Sequence, residues 1–241
     1  MDDTKSVFDA RCIEIKHYMD FIKCIEPEKT FIDLSEADVI ECGQEDEVDG
    51  QVVTSRISIG NETKKILKAN VYLLLYNLVE STVRNTLQAI YDHLETKGIS
   101  FHDVRDELQL EVLKNLKRYI QNKDVVNFNQ QITDISKDIV YMTFNPSDRF
   151  NGNVDARLVR EKVEKMGFSV VAEAFARDGV DLLSIKSQRN SLAHGELSFC
   201  DCGKDLVASD LDDMFERTRA YLAALIQCSE SYIAQELYKK Q

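Results

Sequence analysis

Apolar positions recur at intervals of three and four along most of this chain, the spacing of helices that each bury one face. In residues 4–26 they fall at Val7, Phe8, Cys12, Ile15, Tyr18, Met19 and Ile22, ahead of Pro27, which cannot continue a helix. The longest run follows Asn61, a predicted N-cap with Glu62 in the first turn, and reaches Lys97 before Gly98 stops it. Its stripe includes Leu67, Val71, Leu75, Leu78, Val83, Leu87, Ile90 and Leu94, wide enough for a helix at the centre of a bundle. Further helices are predicted over residues 103–120, 129–144, 154–166, 169–177 and 180–193, separated by turn signals such as Asn145-Pro146-Ser147-Asp148, Gly152, Gly167 and Gly179. A last helix begins near Ser209, with Asp210, Asp212 and Asp213 in its first turn, and runs to Lys239 and Lys240, so both ends suit the helix dipole.

One stretch breaks this rhythm. Residues 36–50 are acidic, and residues 52–59 alternate in the manner of a strand, which predicts a solvated loop and a short β-hairpin. The expected architecture is therefore all-α: a helical domain over residues 61–241, with residues 1–60 as a helix, an acidic loop and a hairpin packed on it. Only 2 prolines and 9 glycines interrupt 241 residues, and no repeat or linker divides them.

Composition narrows the function classes. The densest apolar run, residues 71–79, contains Tyr76 and Asn77 and falls far short of the ~20 residues needed to span a bilayer. The start, Met1-Asp2-Asp3-Thr4-Lys5, lacks the basic region of a secretory signal, so a cytoplasmic protein without membrane partners is expected. Six cysteines are scattered as reduced thiols would be; Cys200-Asp201-Cys202 has one intervening residue and no second pair, which does not suit zinc. No metal or cofactor is expected. A formal charge of -12 argues against nonspecific coating of nucleic acid, which relies on Lys and Arg neutralising phosphates, but leaves room for a local basic site.

Gly-rich phosphate loops, Gly-x-Ser-x-Gly elbows and His-Glu-x-x-His helices are all missing from the sequence. Of four histidines, His17, His93 and His102 need no functional explanation. His194 differs, because Arg189 and Asn190 precede it and Gly195 follows. Histidine, with an ordinary pKa of ~6.5, can take or give a proton at neutral pH, and a guanidinium can bind a phosphate bidentately as charge develops. On an ideal helix five residues subtend ~140°, so Asn190 and His194 share a face but Arg189 and His194 do not. Function then requires either a helix end at the motif or a second copy of it from a partner chain. On spacing alone, a histidine compensating a helix C-terminus is the favoured explanation. Asn77, Glu80 and Arg84 form a polar notch in the long helix. Glu80 and Arg84 read either as an intrahelical pair of ~0.2–0.5 kcal/mol or, for Glu80, as a partner of Arg189.

The segment Arg189-Asn190-Ser191-Leu192-Ala193-His194-Gly195 resembles the Arg-polar-x-x-x-His motif of the HEPN superfamily. Residues 72–94, with Tyr76-Asn77-Leu78-Val79-Glu80-Ser81-Thr82-Val83-Arg84, are similar to that family's earlier long helix, and residues 151–168 resemble a segment of a bacterial branch tied to defence and toxin-antitoxin loci. The likeness covers residues 61–240. It implies a HEPN-like helical bundle with extra helices, and a homodimeric, metal-independent endoribonuclease. In that mechanism the ribose 2′-hydroxyl attacks the adjacent phosphate, His194 is general acid and base, Arg189 stabilises the phosphate, Asn190 orients His194 or the phosphate, and Glu80 and Arg84 support the site. A toxin or defence effector restrained by an antitoxin is the implied setting. Two other readings stay open: a non-catalytic helical dimerisation module, and a partner or target of a nucleotidyltransferase.

Overall fold

The computed structural model describes residues 1–26, 31–33, 56–121 and 153–240. The acidic stretch 36–50 and the helix expected over 129–144 lie outside those residues. Helix α1 (Asp2–Ile25) buries Phe8, Cys12, Ile15, Met19, Ile22 and Ile25, spaced by three and four as one apolar face demands. Strand β1 (Phe31–Asp33) pairs antiparallel with β2 (Arg56–Ser58), Phe31 opposite Ser58 and Asp33 opposite Arg56. The long helix is α2 (Asn61–Thr96), for which Gly60, in extended backbone, stands at the N-cap in place of Asn61. Then come α3 (Asp106–Gln121), α4 (Ala156–Met166), a 3-10 turn (Ala174–Gly179), α5 (Asp181–Ala193), α6 (Phe199–Gly203) and α7 (Ala208–Ala234).

Helices α1, α5, α6 and α7 all pack on α2. It buries apolar side chains on most of its circumference, Leu75, Leu78, Val79, Val83, Leu87 and Ile90 each being at most 1% exposed. One cluster joins these to Phe8 and Met19 of α1, Val159 and Val163 of α4, Leu182 and Ile185 of α5, and Phe215 and Leu222 of α7. Each such side chain contributes about 1.5–3 kcal/mol by leaving water, so the position of α5 is set by the same core that holds α1.

Two helix expectations are corrected. Residues 169–177 do not form a helix: Arg177 (φ 48, ψ 42) and Asp178 (φ 51, ψ 25) take left-handed backbone, and the 3-10 turn packs on α7. Tertiary packing wins there, because Ala176 is fully buried and Gly179, at φ +72, lets the backbone come so near Tyr221 that an added Cβ would sit 2.9 Å from its ring. The last helix stops at Ala234, short of Lys239 and Lys240. Glu236 turns left-handed at φ 51, and Tyr238 folds back to be fully buried, its ring edge-on to Tyr232. Lys239 bridges Val104, and the Lys240 amide donates to the Asp103 carbonyl at 2.8 Å. Burying a tyrosine outweighs one more helical turn.

Helix α6, too short to show a period, was not expected from the apolar pattern. It lies so close to α2 that a Cβ on Gly203 would fall 1.9 Å from the Lys65 carbonyl oxygen. Gly203→Ala must therefore separate two backbones. It is expected to cost about 3 kcal/mol, the upper end for overpacking. For a chain of this size that lowers Tm by roughly 6–12 °C. A thermal melt within 2 °C of wild type would contradict this close approach.

Candidate functional site

Helix α5 carries the Arg189 to His194 segment and is fixed at two polar points as well as through the core. At its first turn Asp181 forms a two-point ion pair with Arg217 of α7, Oδ2 to Nε at 2.7 Å and Oδ1 to Nη2 at 3.3 Å. At mid-helix Lys186 donates to Asp155, whose other oxygen accepts the Leu158 amide at 2.9 Å and so caps α4. Burial alone would raise the Asp155 pKa; the Lys186 ammonium and the Leu158 and Arg157 amides outweigh it and hold this carboxyl below its usual range.

The helix stays regular up to the motif and ends at it. His194 is the C-cap, at φ −91 and ψ 0, and Gly195 takes the left-handed conformation at φ +71. The Gly195 amide donates to Leu192 and the Glu196 amide to Ser191, the paired hydrogen bonds that close a helix through a glycine. Among the described residues nothing lies within 4 Å of a Cβ built on Gly195, so the demand there is for the backbone angle and not for space.

The side chains part as ideal helical geometry requires. Arg189 turns inward, and its guanidinium carbon sits 4.5 Å above the ring of Tyr76 of α2, a cation–π contact. Its Nη1 donates to Asn190 Oδ1 at 2.9 Å, and the Asn190 amide donates to Asn153 Oδ1 at 2.9 Å. Tyr76 is 1% exposed, and its hydroxyl accepts the Val154 amide at 3.1 Å. Burial pushes the Tyr76 phenol up; the Val154 amide and the Arg189 charge oppose that, and the Glu80 charge adds to it. His194 stands exposed at the helix end, and among the described residues its imidazole makes no side-chain hydrogen bond or ion pair.

Arg189, Asn190 and His194 thus occupy one helix end, with Arg189 and Asn190 bonded to each other. Asn190 positions Arg189, and its amide is directed to Asn153 and not to His194. Of the two readings of Glu80, the intrahelical pair is present: its carboxylate accepts Arg84 Nη2 at 2.7 Å, one turn along the same helix. Tyr76 and Asn153 were missed as supports for the motif. Neither had a local signal, since both meet α5 only through the tertiary fold. Among the described residues no group of three or more His, Cys, Asp or Glu side chains is placed to hold a metal ion, and no helix is long and apolar enough to cross a membrane.

A family model described as HEPN_MAE_28990-like HEPN matches residues 8–238, a span that takes in α1 from Phe8 onward as well as the whole motif. No curated protein and no solved structure matches the chain.

Proposed function

Because the chain belongs to the HEPN_MAE_28990-like HEPN family, we propose that it is an endoribonuclease that works as a homodimer, with the ends of two α5 helices forming one composite cleft. The observation that carries this reading is the imidazole of His194, exposed and unengaged among the described residues, at the end of a helix whose Arg189 is already held in place by Asn190 and Tyr76. One chain directs these two groups to different faces. A second chain related by a two-fold axis near His194 brings two imidazoles to the same phosphate, with the two Arg189 side chains flanking it from their places beside Tyr76. The outward positions of α5 near its end, Ser187 and His194, are open to such a copy.

In this mechanism His194 of one subunit takes the proton from the ribose 2′-hydroxyl as that oxygen attacks the neighbouring phosphorus. The bond from phosphorus to the 5′-oxygen breaks, and the partner subunit's His194 gives that oxygen a proton. Arg189, planar and always charged, holds the phosphorane-like oxygens as negative charge grows on them. The products are a 2′,3′-cyclic phosphate and a 5′-hydroxyl. An activity of this kind fits a toxin or defence effector that a partner keeps in check.

Purified full-length protein in excess EDTA is expected to fragment single-stranded RNA, leaving 5′ ends that accept label from a kinase without prior dephosphorylation. Intact RNA beside a well-folded dimer would favour the non-catalytic module instead, and 3′-hydroxyl products would rule out attack by the 2′-oxygen.

A further inference from the structure

Beside the motif, a cavity of about 550 Å³ opens between the start of α4, the 3-10 turn and the first half of α5. Its walls carry Arg157, Arg160, Arg177 and Lys186 against two carboxylates, Asp155 and Asp178, in a chain that has 30 basic and 42 acidic residues overall. Two of the cations are committed: Lys186 is held by Asp155, and Arg160 Nη1 donates to the Asp178 carbonyl at 2.9 Å. Arg157 and Arg177 are exposed and have no ion pair or side-chain hydrogen bond among the described residues. Glu161, one turn from Arg157, is occupied by Lys165. Arg177 is presented from left-handed backbone, φ 48 and ψ 42, which disfavours any residue bearing a Cβ. The floor is apolar, with Leu183 53% exposed toward solvent.

The place of this cavity is as telling as its charge. Lys186 precedes Asn190 by four residues, about 6 Å along α5. Asp155 lies two residues from Asn153, which binds Asn190. Leu183 and His194, eleven residues apart, are separated by about 16 Å along the helix. We infer that this cavity is an RNA subsite, in which Arg157 and Arg177 bind phosphate of the single strand next to the cleaved linkage while the flanking nucleotide lies on the apolar floor. This rests on the ribonuclease reading of the neighbouring motif. Guanidinium forks grip phosphate bidentately, and a basic rim over an apolar floor suits a strand whose bases are unstacked.

The test uses full-length dimer and a labelled single-stranded oligoribonucleotide methylated at every 2′-oxygen, which cannot be cleaved by 2′-attack and so reports binding alone. Arg157→Gln with Arg177→Gln is expected to raise Kd at least tenfold and to reduce the slope of log K against log salt by about 1.4, two phosphate contacts at ~0.7 each. On unmodified RNA the same pair should raise KM and leave kcat unchanged. Lys5→Gln with Lys97→Gln removes equal charge from exposed sites elsewhere and should alter neither quantity by more than about twofold, which separates a site from general charge. Unchanged Kd and slope in the arginine pair, equal weakening by the lysine pair, or no binding by wild type would each overturn the subsite. If wild type binds the methylated strand through these arginines yet leaves ordinary RNA intact, the subsite stands and the ribonuclease reading falls; normal cleavage with an indifferent arginine pair gives the reverse.

Discussion

With His194 replaced by alanine, RNA cleavage should fall by about 10²–10⁴-fold, the usual contribution of a positioned acid or base, while the dimer and its melting temperature stay as in wild type. The fold makes this a clean substitution. The imidazole is exposed and unbonded among the described residues, and the helix is closed by the amides of Gly195 and Glu196, neither of which involves the His194 side chain. Such a surface change is expected within about ±0.5 kcal/mol. A mixed dimer with one wild-type and one variant subunit sharpens the point. If the two imidazoles serve one phosphate as base and acid, a single missing histidine removes most of the activity. If each subunit has its own complete site, half the activity remains and the composite cleft is refuted. Cleavage by the fully substituted dimer at the wild-type rate would remove His194 from the chemistry altogether.

How far the sequence foretold these features depends on where the signal lies. The bundle was readable because burial imposes a period: Phe8, Ile15, Met19 and Ile22 on α1, and Leu75 to Ile90 on α2, are where an apolar stripe must fall. Helix ends were readable where glycine supplies left-handed backbone, at Gly98, Gly167 and Gly195. They were not readable at Arg177, Asp178 and Glu236, non-glycine residues at positive φ where the chain makes contacts distant in sequence, such as Tyr238 with His93 and with the Arg105 amide. The same division runs through the site. Arg189, Asn190 and His194 are a contiguous segment and could be picked out by chemistry and resemblance. Their supports could not: Tyr76 and Asn153 approach α5 only because α2 and the start of α4 pack around it. The Glu80–Arg84 pair, by contrast, is local to one turn of α2 and was legible in the sequence.

The ion pair that sets the start of α5 carries an expected effect on stability as large as that of Gly203→Ala. Arg217→Ala should cost about 3 kcal/mol, because it strands a carboxylate that is only 11% exposed after removing both of its guanidinium contacts. The figure lies at the lower end for buried pairs because Asp181 occupies the first turn of α5, where the helix dipole favours negative charge and softens the loss. A fall in Tm of roughly 6–12 °C is expected. The hydrogen bond to Asp181 raises the pKa of Arg217 still further, so its charge does not titrate away and the effect should persist across the physiological pH range. Removing both partners is the discriminating step. Arg217→Ala with Asp181→Ala leaves no buried charge without a partner, so the double variant should regain much of the lost stability, with a coupling energy above about 1.5 kcal/mol. A single variant that loses less than about 1 kcal/mol would mean that the pair behaves as surface pairs do, and that Leu182 and Ile185 in the core suffice to hold the helix that bears the motif.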